Sequence, residues 1–398
     1  MNNARRHPIA IMGLPLSSLT ADQAVASIDE LLQQGGTHLV CPVNLDVWLN
    51  GLGDPHLHRI MSGASLVLAD GMPLVWTSKL MGAPLAERVT GVDLVPRLAA
   101  LSARKGYRIF LLGGREGVVE RAAEVLRRTC PGVNVVGTHA PAEADLSRMD
   151  HAGILGRIQD ARPDILLVAF GNPKQEKWIW MHRKKLGVGV AMGVGGSFDI
   201  LVGDTRRAPR WIQRSGFEWA MRFVQEPRRL GPRYFRDFLG LCSHLPFALA
   251  GAWLQRPCKG PSRVTHALAP QVMHLYIHGK LADNIADAAD AAIATCLRQG
   301  LVLVVHLRNA RQITAYGMGI LMDARRQLLE AGLTISLAGL SLRSRFLLRA
   351  WCLHPLFDEW HPVMHRGRSL VRAEGLHGLE AGMNPDTEAI PAQSRWNG

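Results

Sequence analysis

Polar residues follow several apolar segments of the chain, at the points where each segment ends. Asn44 and Asp46 come directly after HLVCPV, and Asp70 and Gly71 come directly after SLVLA. An Asp in such a position most commonly caps a helix, but a carboxylate that points into a cleft could also act as a general base. The local pattern alone favours the cap.

The segment GNPKQEKW, residues 171–178, follows another apolar run, PDILLVAF. Pro173 is a normal first residue of a helix, and the polar residues around it could simply be solvated. Asn172, Lys174 and Gln175 could equally form the rim of a ligand site, because ligands bind outside the carboxyl ends of parallel strands. The pattern gives the two interpretations about equal weight.

Glycine-containing turns follow two further apolar runs. Gly113 and Gly114 follow YRIFLL, and Gly195 follows GVGVAMGV, with Asp199 four residues later. These glycines could permit tight turns only, or they could let backbone N–H groups at a helix start approach a phosphate. Neither turn has the spacing of a dinucleotide-binding or P-loop motif, so both interpretations stay open.

The elements that must position these residues alternate between strand-like and helix-like segments from Thr37 to about Met192. Short apolar runs separated by amphipathic helices predict right-handed βαβ units. We therefore expect an α/β fold with a Rossmann-like parallel sheet and helices on both faces, which brings the polar residues to one edge. The strand-like segments VMHLYIHG, LVLVVHLRN and LTISLAGLS, with helix-like segments between them, predict a smaller α/β domain afterwards.

The segment from Asp204 to Arg236 is rich in arginine, with nine arginines against three acids and interleaved aromatic residues. Arg binds phosphate oxygens in a forked geometry that Lys cannot match, and aromatic residues suit the headgroup layer of a membrane. We favour diphosphate and membrane binding over nucleic-acid binding, and we expect no nucleic-acid partner. The candidate residues are Arg207, Arg210, Arg214, Arg222, Arg228 and Arg229.

The composition narrows the class of protein. The chain has 398 residues, enough for two domains, and 46 Lys and Arg against 33 Asp and Glu. The net charge of +13 suggests a polyanionic partner. The six cysteines are scattered and no DxD or HExxH motif occurs, so we expect no disulfide framework, metal or cofactor.

The start of the chain imitates a signal peptide, with basic residues before a short apolar stretch. Gly13 and Pro15 break the apolar part, which favours a first strand and then a helix capped by Thr20 or Asp22.

Eight segments, in order, resemble the WecG/TagA/CpsF family of bacterial glycosyltransferases over about residues 8–237. They are GLPL, VNLDVWL, ADGMPLVW, ERVTGVDLV, IFLLGG, AFGNPKQEKW, MGVGGSFDILVGDTRRAP and GFEWAMRFVQEPRR. The resemblance implies an inverting transfer of a sugar from a UDP-sugar to a polyprenyl-diphosphate-linked saccharide in cell-surface polysaccharide biosynthesis. It also implies a peripheral protein at the cytoplasmic face of the bacterial inner membrane, acting without a bound metal.

The resemblance assigns roles to matching residues. Asp70 corresponds to the proposed general base, and the arginines close over the site and neutralise the diphosphate. Pro42 stands where several relatives carry Thr, which puts the identity of the donor sugar in doubt. The residues predicted to bind substrate are Asn44, Gly71, Arg88, Gly113, Gly114, Asn172, Lys174, Gln175, Gly195 and Asp199.

The C-terminal part resembles a STAS domain in its order of strands and helices. Where regulatory STAS domains carry a phosphorylated Ser this chain has Ala315, so we expect no kinase switch. Docking of a partner protein and simple packing remain equal alternatives for this domain. The predicted division is a transferase domain at 1–237, an apolar membrane-associating segment at 238–255, a linker at 256–270, a STAS-like domain at 271–373 and a disordered tail at 374–398.

Two other functions compete with transfer. A catalytically inactive relative could act as a membrane scaffold through its STAS-like half, although the intact ADG, PKQE and GVGGSFD segments argue against this. A nucleic-acid binder would account for the charge alone and is the least favoured.

Overall fold

The structure, a computed structural model, describes residues 7–205, 208–209, 212, 218–225, 227–254 and 262–360. Strands and helices alternate in the first part of the chain. Its strands are β1 (Ile9–Ile11), β2 (Leu14–Leu16), β3 (His38–Val43), β4 (Leu66–Ala69), β5 (Arg108–Gly113), β6 (Asn134–His139), β7 (Ile165–Ala169) and β8 (Val190–Gly193). Its helices are α1 (Ala21–Gln34), α2 (Leu45–Gly53), α3 (Pro55–Ser62), α4 (Met72–Leu80), α5 (Gly91–Lys105), α6 (Val118–Thr129), α7 (His151–Ala161), α8 (Lys174–His182) and α9 (Ser197–Leu201).

Strands β3 to β8 form a parallel sheet with the spatial order β4-β3-β8-β7-β5-β6. Side chains alternate across it: Cys41 and Val43 join the core on the face covered by α2, α3 and α8, whereas Val40 joins the core on the face of α1, α5 and α6. The expected α/β fold with helices on both faces of a parallel sheet is therefore confirmed.

The N-terminal residues form a hairpin where the sequence predicted a single strand. Strands β1 and β2 pair antiparallel around Gly13, whose φ of +83° suits a glycine turn. The expected cap is confirmed, because Thr20 accepts a hydrogen bond from the Gln23 backbone N–H and the Gln23 side chain accepts one from the Thr20 N–H.

Helix α10 (Glu218–Gln225) lies within the arginine-rich segment, and α11 (Pro227–Trp253) begins within it and continues beyond it. Helix α11 runs without a break through the predicted boundary after residue 237 and includes Pro246. Its buried residues Leu230, Asp237, Ala248 and Gly251 recur with helical spacing, so its other side is exposed. Among the described residues, no helix is both long and apolar enough to cross a membrane.

The last described part, 262–360, is a smaller α/β unit, as expected. Its strands are β9 (Arg263–Ala269), β10 (Val272–Leu281), β11 (Val302–His306), β12 (Ala310–Ile313), β13 (Ile335–Ala338) and β14 (Asp358–Glu359). Its helices are α12 (Ala286–Gln299), α13 (Ala315–Glu330) and α14 (Leu342–Ala350). The sheet has the order β12-β10-β11-β13-β14 with β9 antiparallel to β10, so the second half of the predicted linker is a strand.

The two parts share one hydrophobic core, which extends from the β1–β2 hairpin into the second sheet. The hairpin lies against α13, where a Cβ placed on Gly319 would be 1.7 Å from the Pro8 carbonyl oxygen. His7 adds a 3.1 Å contact with the carboxylate of Asp323. Helix α11 is held separately, because the Trp351 indole N–H donates to the Ala248 carbonyl oxygen at 3.1 Å.

Candidate functional site

The carboxyl ends of β3 and β4 bring Asn44, Asp70 and Gly71 together. Asn44 begins α2, where its side-chain oxygen accepts the backbone N–H of Val47 at 3.0 Å. Gly71 lies against it, since an added Cβ would be 3.5 Å from Cα and Cβ of Asn44. The Asp70 N–H donates to the Val43 carbonyl oxygen at 2.8 Å, which fixes the turn after β4 beside the turn after β3.

Asp70 does not cap the helix that follows it, because the N-cap of α4 is Gly71 and no side chain caps this helix. The carboxylate instead accepts the backbone N–H of Gly91 at 3.4 Å, at the first turn of α5. The positive end of a helix dipole stabilises a negative charge placed there. A Cβ on Gly91 would be 3.6 Å from Ser197 Oγ and 3.8 Å from Pro42 Cγ. The end of β3 and the start of α9 therefore lie beside Gly91, which donates to Asp70.

The turns after β7 and β8 are joined by a hydrogen-bond chain. The Gly195 N–H donates to Gln175 Oε1 at 3.1 Å, and Gln175 Nε2 donates to Glu176 Oε1 at 2.8 Å. Asn172 Nδ2 donates to the other oxygen of Glu176 at 3.0 Å, and Asn50 Nδ2 donates to Asn172 Oδ1 at 2.8 Å. The chain therefore connects α2, α8 and the turn after β8 at one edge of the sheet.

The residues of this hydrogen-bond chain differ in how deeply they are buried. Gln175 is 5% exposed and Glu176 is 2% exposed, whereas Asn172 and Asn50 are half-buried. Burial raises the pKa of Glu176, while the hydrogen bonds from Gln175 and Asn172 act in the opposite direction. Gln175 thus lies deeper than a rim residue, and Asn172 and Asn50 form the accessible end.

The side chain of Lys174 points away from this hydrogen-bond chain. Its Nζ donates to the carbonyl oxygen of Ala144 and lies 5.6 Å from the centre of the Phe170 ring. The structure therefore does not bring Lys174 together with Gln175, although the two are adjacent in sequence.

The glycine turn after β5 meets α9. Gly113 has φ +91° and an added Cβ would be 2.8 Å from the Ala169 carbonyl oxygen, so only glycine fits there. A Cβ on Gly114 would be 3.5 Å from the ring of Phe198. Asp199, one residue further along α9, accepts two hydrogen bonds from Arg115, at 2.7 and 3.1 Å.

Arg88 forms an ion pair with Glu218 at 2.9 Å, and both side chains are largely buried. This pair attaches α10 to the segment between α4 and α5. The charge of Arg88 is therefore balanced by a protein carboxylate in this structure.

Helix α11 is attached to the same edge by its first turns. Arg233 Nη2 lies 3.0 Å from Asp46 Oδ2, and Arg236 contacts the other oxygen of Asp46. Burial and the charge of Asp46 raise the pKa of the neighbouring Asp237. The arginine-rich segment therefore reaches α2 two residues after Asn44.

The six arginines proposed from sequence are described only in part. Arg228 is exposed at the start of α11. Arg222 and Arg229 lie in α10 and α11, but their side chains fall outside the described residues, as do Arg207, Arg210 and Arg214 entirely.

Sequence reasoning did not assign three residues of this edge: Asn50, Asp46 and Glu176. Asn50 lies in the same short helix that Asn44 begins, and Asp46 lies in its first turn. Glu176 is three residues before the buried Ile179, a spacing that places a residue on the inner face of a helix. Within the described part of the chain, no three His, Cys, Asp or Glu side chains are grouped so that they could hold a metal ion.

Comparison with known proteins gives a match at the level of family. The pattern of the glycosyl transferase WecG/TagA/CpsF family matches residues 9–253. A protein of Bacillus spizizenii (strain ATCC 23059 / NRRL B-14472 / W23), named N-acetylglucosaminyldiphosphoundecaprenol N-acetyl-beta-D-mannosaminyltransferase, is 31% identical over 222 residues, covering 56% of this chain and 84% of that protein. A protein of the same name from Staphylococcus aureus (strain MW2) is 28% identical over 225 residues, covering 56% of this chain and 87% of that protein.

Solved structures of the anti-sigma factor antagonist SpoIIAA resemble a smaller part of the chain. The unphosphorylated form is 14% identical, covers 30% of this chain and 97% of that one, and has a TM-score of 0.21. The phosphorylated form from Bacillus is 16% identical, covers 27% and 100%, and has a TM-score of 0.22.

Proposed function

We propose that this protein moves a sugar from a UDP-sugar to a saccharide on a polyprenyl diphosphate, with inversion of the anomeric centre. The chain belongs to the WecG/TagA/CpsF family of glycosyl transferases, which supports this proposal. The observation that carries this proposal is the position of Asp70, a half-buried carboxylate at the carboxyl edge of a parallel sheet, beside Asn44. Ligands of such sheets bind at that edge.

In the proposed reaction Asp70 accepts the proton of the acceptor hydroxyl while that oxygen forms a bond to the anomeric carbon of the donor. The bond between this carbon and the UDP oxygen breaks, and its electrons leave with the diphosphate. Attack from the face opposite the leaving group inverts the anomeric centre. The arginines would supply cations to the departing charge.

The donor is proposed to lie over the turns after β7 and β8, where Asn172 is accessible and Gln175 secures the Gly195 turn. The names of the two relatives suggest an acceptor of the N-acetylglucosaminyldiphosphoundecaprenol class. Pro42, which adjoins Gly91, leaves no side-chain donor at its position, so the donor sugar need not be the same.

The protein is proposed to work as a peripheral protein at the cytoplasmic membrane surface, where polyprenyl-linked acceptors are held. Five apolar residues of α11 are each more than half exposed: Phe235, Phe238, Leu239, Phe247 and Trp253. Such a row, next to arginines, suits insertion into the headgroup layer. The C-terminal part is proposed to be STAS-like, joined to this helix through Trp351, where a protein partner could dock.

A donor panel tests the proposal. UDP release would be measured with common UDP-hexoses, UDP-N-acetylhexosamines and UDP-uronic acids, with and without detergent-solubilised polyprenyl-diphosphate-sugar. Release that requires the acceptor, with one donor preferred, is expected. Absence of release across the whole panel, together with intact membrane binding, would favour an inactive scaffold over the transferase.

A further inference from the structure

Glu176 is a buried carboxyl that the proposed reaction does not use. It lies in the first turn of α8 and is 2% exposed. Burial, and secondly the charge of the nearby Glu176, raise the pKa of the Cys41 thiol in β3. Removing a carboxyl group from water is costly unless hydrogen bonds compensate. An apolar side chain would fill the same space without that cost, so packing alone does not account for Glu176.

The polarity of the hydrogen-bond chain can be derived from its inner end. The backbone N–H of Gly195 can only donate, so the atom of Gln175 that faces it must be the oxygen. Gln175 then presents its amide nitrogen to Glu176. The other oxygen of Glu176 accepts from the amide nitrogen of Asn172, and the amide oxygen of Asn172 accepts the N–H of Asn50. Glu176 is therefore the point at which the direction of donation reverses.

We propose that Glu176 is a positioning residue that sets the orientation of the amides of Gln175 and Asn172, and through them the shape of the donor site between α2, α8 and the turn after β8. The inference rests on the proposed function and deepens it. Glu176 acts through Asn172 at the accessible end and through Gln175 and the Gly195 turn at the inner end. Glu176 itself, at 2% exposure, does not reach a ligand.

The isosteric change Glu176→Gln distinguishes positioning from packing. The new amide has one accepting oxygen, which the nitrogen of Gln175 takes because the Gly195 N–H holds Gln175 in place. The new –NH2 group then faces the –NH2 group of Asn172, which must rotate by 180° and reverse its hydrogen bond with Asn50. The fold keeps every hydrogen bond, but Asn172 presents its polar atoms in the opposite order.

The test uses UDP as the probe, with its dissociation constant measured by titration calorimetry on the full-length protein. The KM for the donor and kcat are measured in parallel. For Glu176→Gln we expect about tenfold weaker UDP binding, a similar rise in donor KM and a melting temperature close to that of the wild type. Glu124→Gln, an exposed change of the same type on α6, is the matched control and should change nothing.

Unchanged UDP affinity and donor KM in Glu176→Gln would overturn the positioning role while leaving the transferase proposal intact. A large fall in the melting temperature of Glu176→Gln together with weaker UDP binding would also overturn it, because Glu176 would then act through packing. A wild-type protein that neither binds UDP nor transfers sugar would instead overturn the proposed function, and the donor role of Glu176 with it.

Discussion

Replacement of Gly319 by alanine tests how the second part of the chain sits on the first. A Cβ at this position would lie 1.7 Å from the Pro8 carbonyl oxygen and 2.6 Å from its carbon, whereas ordinary contact begins near 3.4 Å. Helix α13 and the hairpin would have to separate by about 1.7 Å. Strand β1 cannot yield easily, because Ile9 and Ile11 are 1% and 0% exposed within the shared core.

Two opposing contributions determine how much Gly319→Ala changes the free energy of unfolding. Overpacking of this kind costs roughly 3 kcal/mol, because the added Cβ is attached directly to the helix backbone and meets the backbone of Pro8, so neither can move aside by rotating a side chain. Alanine in a helix interior is more favourable than glycine by about 1 kcal/mol. The net loss of about 2 kcal/mol should lower the melting temperature by roughly 4–8 °C.

A matched control isolates the contact. Gly156 lies inside α7 with no atom within 4 Å of an added Cβ, so Gly156→Ala should raise the melting temperature by about 2–4 °C. Thermal melting followed by near-ultraviolet circular dichroism measures both variants. If Gly319→Ala also raised the melting temperature, helix α13 would not lie against Pro8 and the shared core would be refuted.

Two further changes address the attachments of the fold. Asp46→Asn removes the charge that faces Arg233 and Arg236. Because these arginines are partly exposed, loss of the ion pairs should lower the free energy of unfolding by only about 1 kcal/mol. Initial rates with lipid-linked acceptor should nevertheless fall several-fold, because α11 is then held less firmly beside Asn44. Equal rates in the variant and the wild type would contradict this coupling. His7 donates to Asp323, and that hydrogen bond raises the pKa of His7. The contact therefore stabilises the folded state fully below the unfolded pKa of His7, about 6.5, and this stabilisation is lost as the pH rises through the raised pKa of the folded state. His7→Gln should therefore lower the melting temperature at pH 6 by more than at pH 9, and an equal effect at both pH values would exclude the charged contact.

The first sheet could be predicted because its strands are short apolar runs at regular spacing. The residues HLVCPV became β3 without a change of bounds, and DILLVAF became β7 with one residue less at each end. The hairpin was missed because three-residue strands on either side of a glycine turn carry too little periodicity. Strand β9 was missed because it lies beside a Pro- and Gly-rich stretch and its residues are mostly exposed.

The candidate site was predictable as a set of turns at one edge of the sheet, but not in its contacts. The pattern favoured Asp70 as a cap, and the structure places the cap at Gly71, which leaves the carboxylate for Gly91. Local sequence also gave no indication that Asp46 contacts Arg236, 190 residues away, since such a pair depends on how α11 returns to the sheet. The depth of Gln175 likewise follows from tertiary packing, not from its polar neighbours.

The proposed role of Asp70 as general base is the central claim, and Asp70→Asn tests it most directly. The measurement is the initial rate of acceptor-dependent sugar transfer, with the UDP dissociation constant determined on the same preparation and Asp160→Asn, an exposed change on α7, as the control. The account predicts a fall in rate of at least about 100-fold with UDP affinity within about threefold of the wild type. An Asp70→Asn variant that transfers sugar at a rate within a few-fold of the wild type would contradict it.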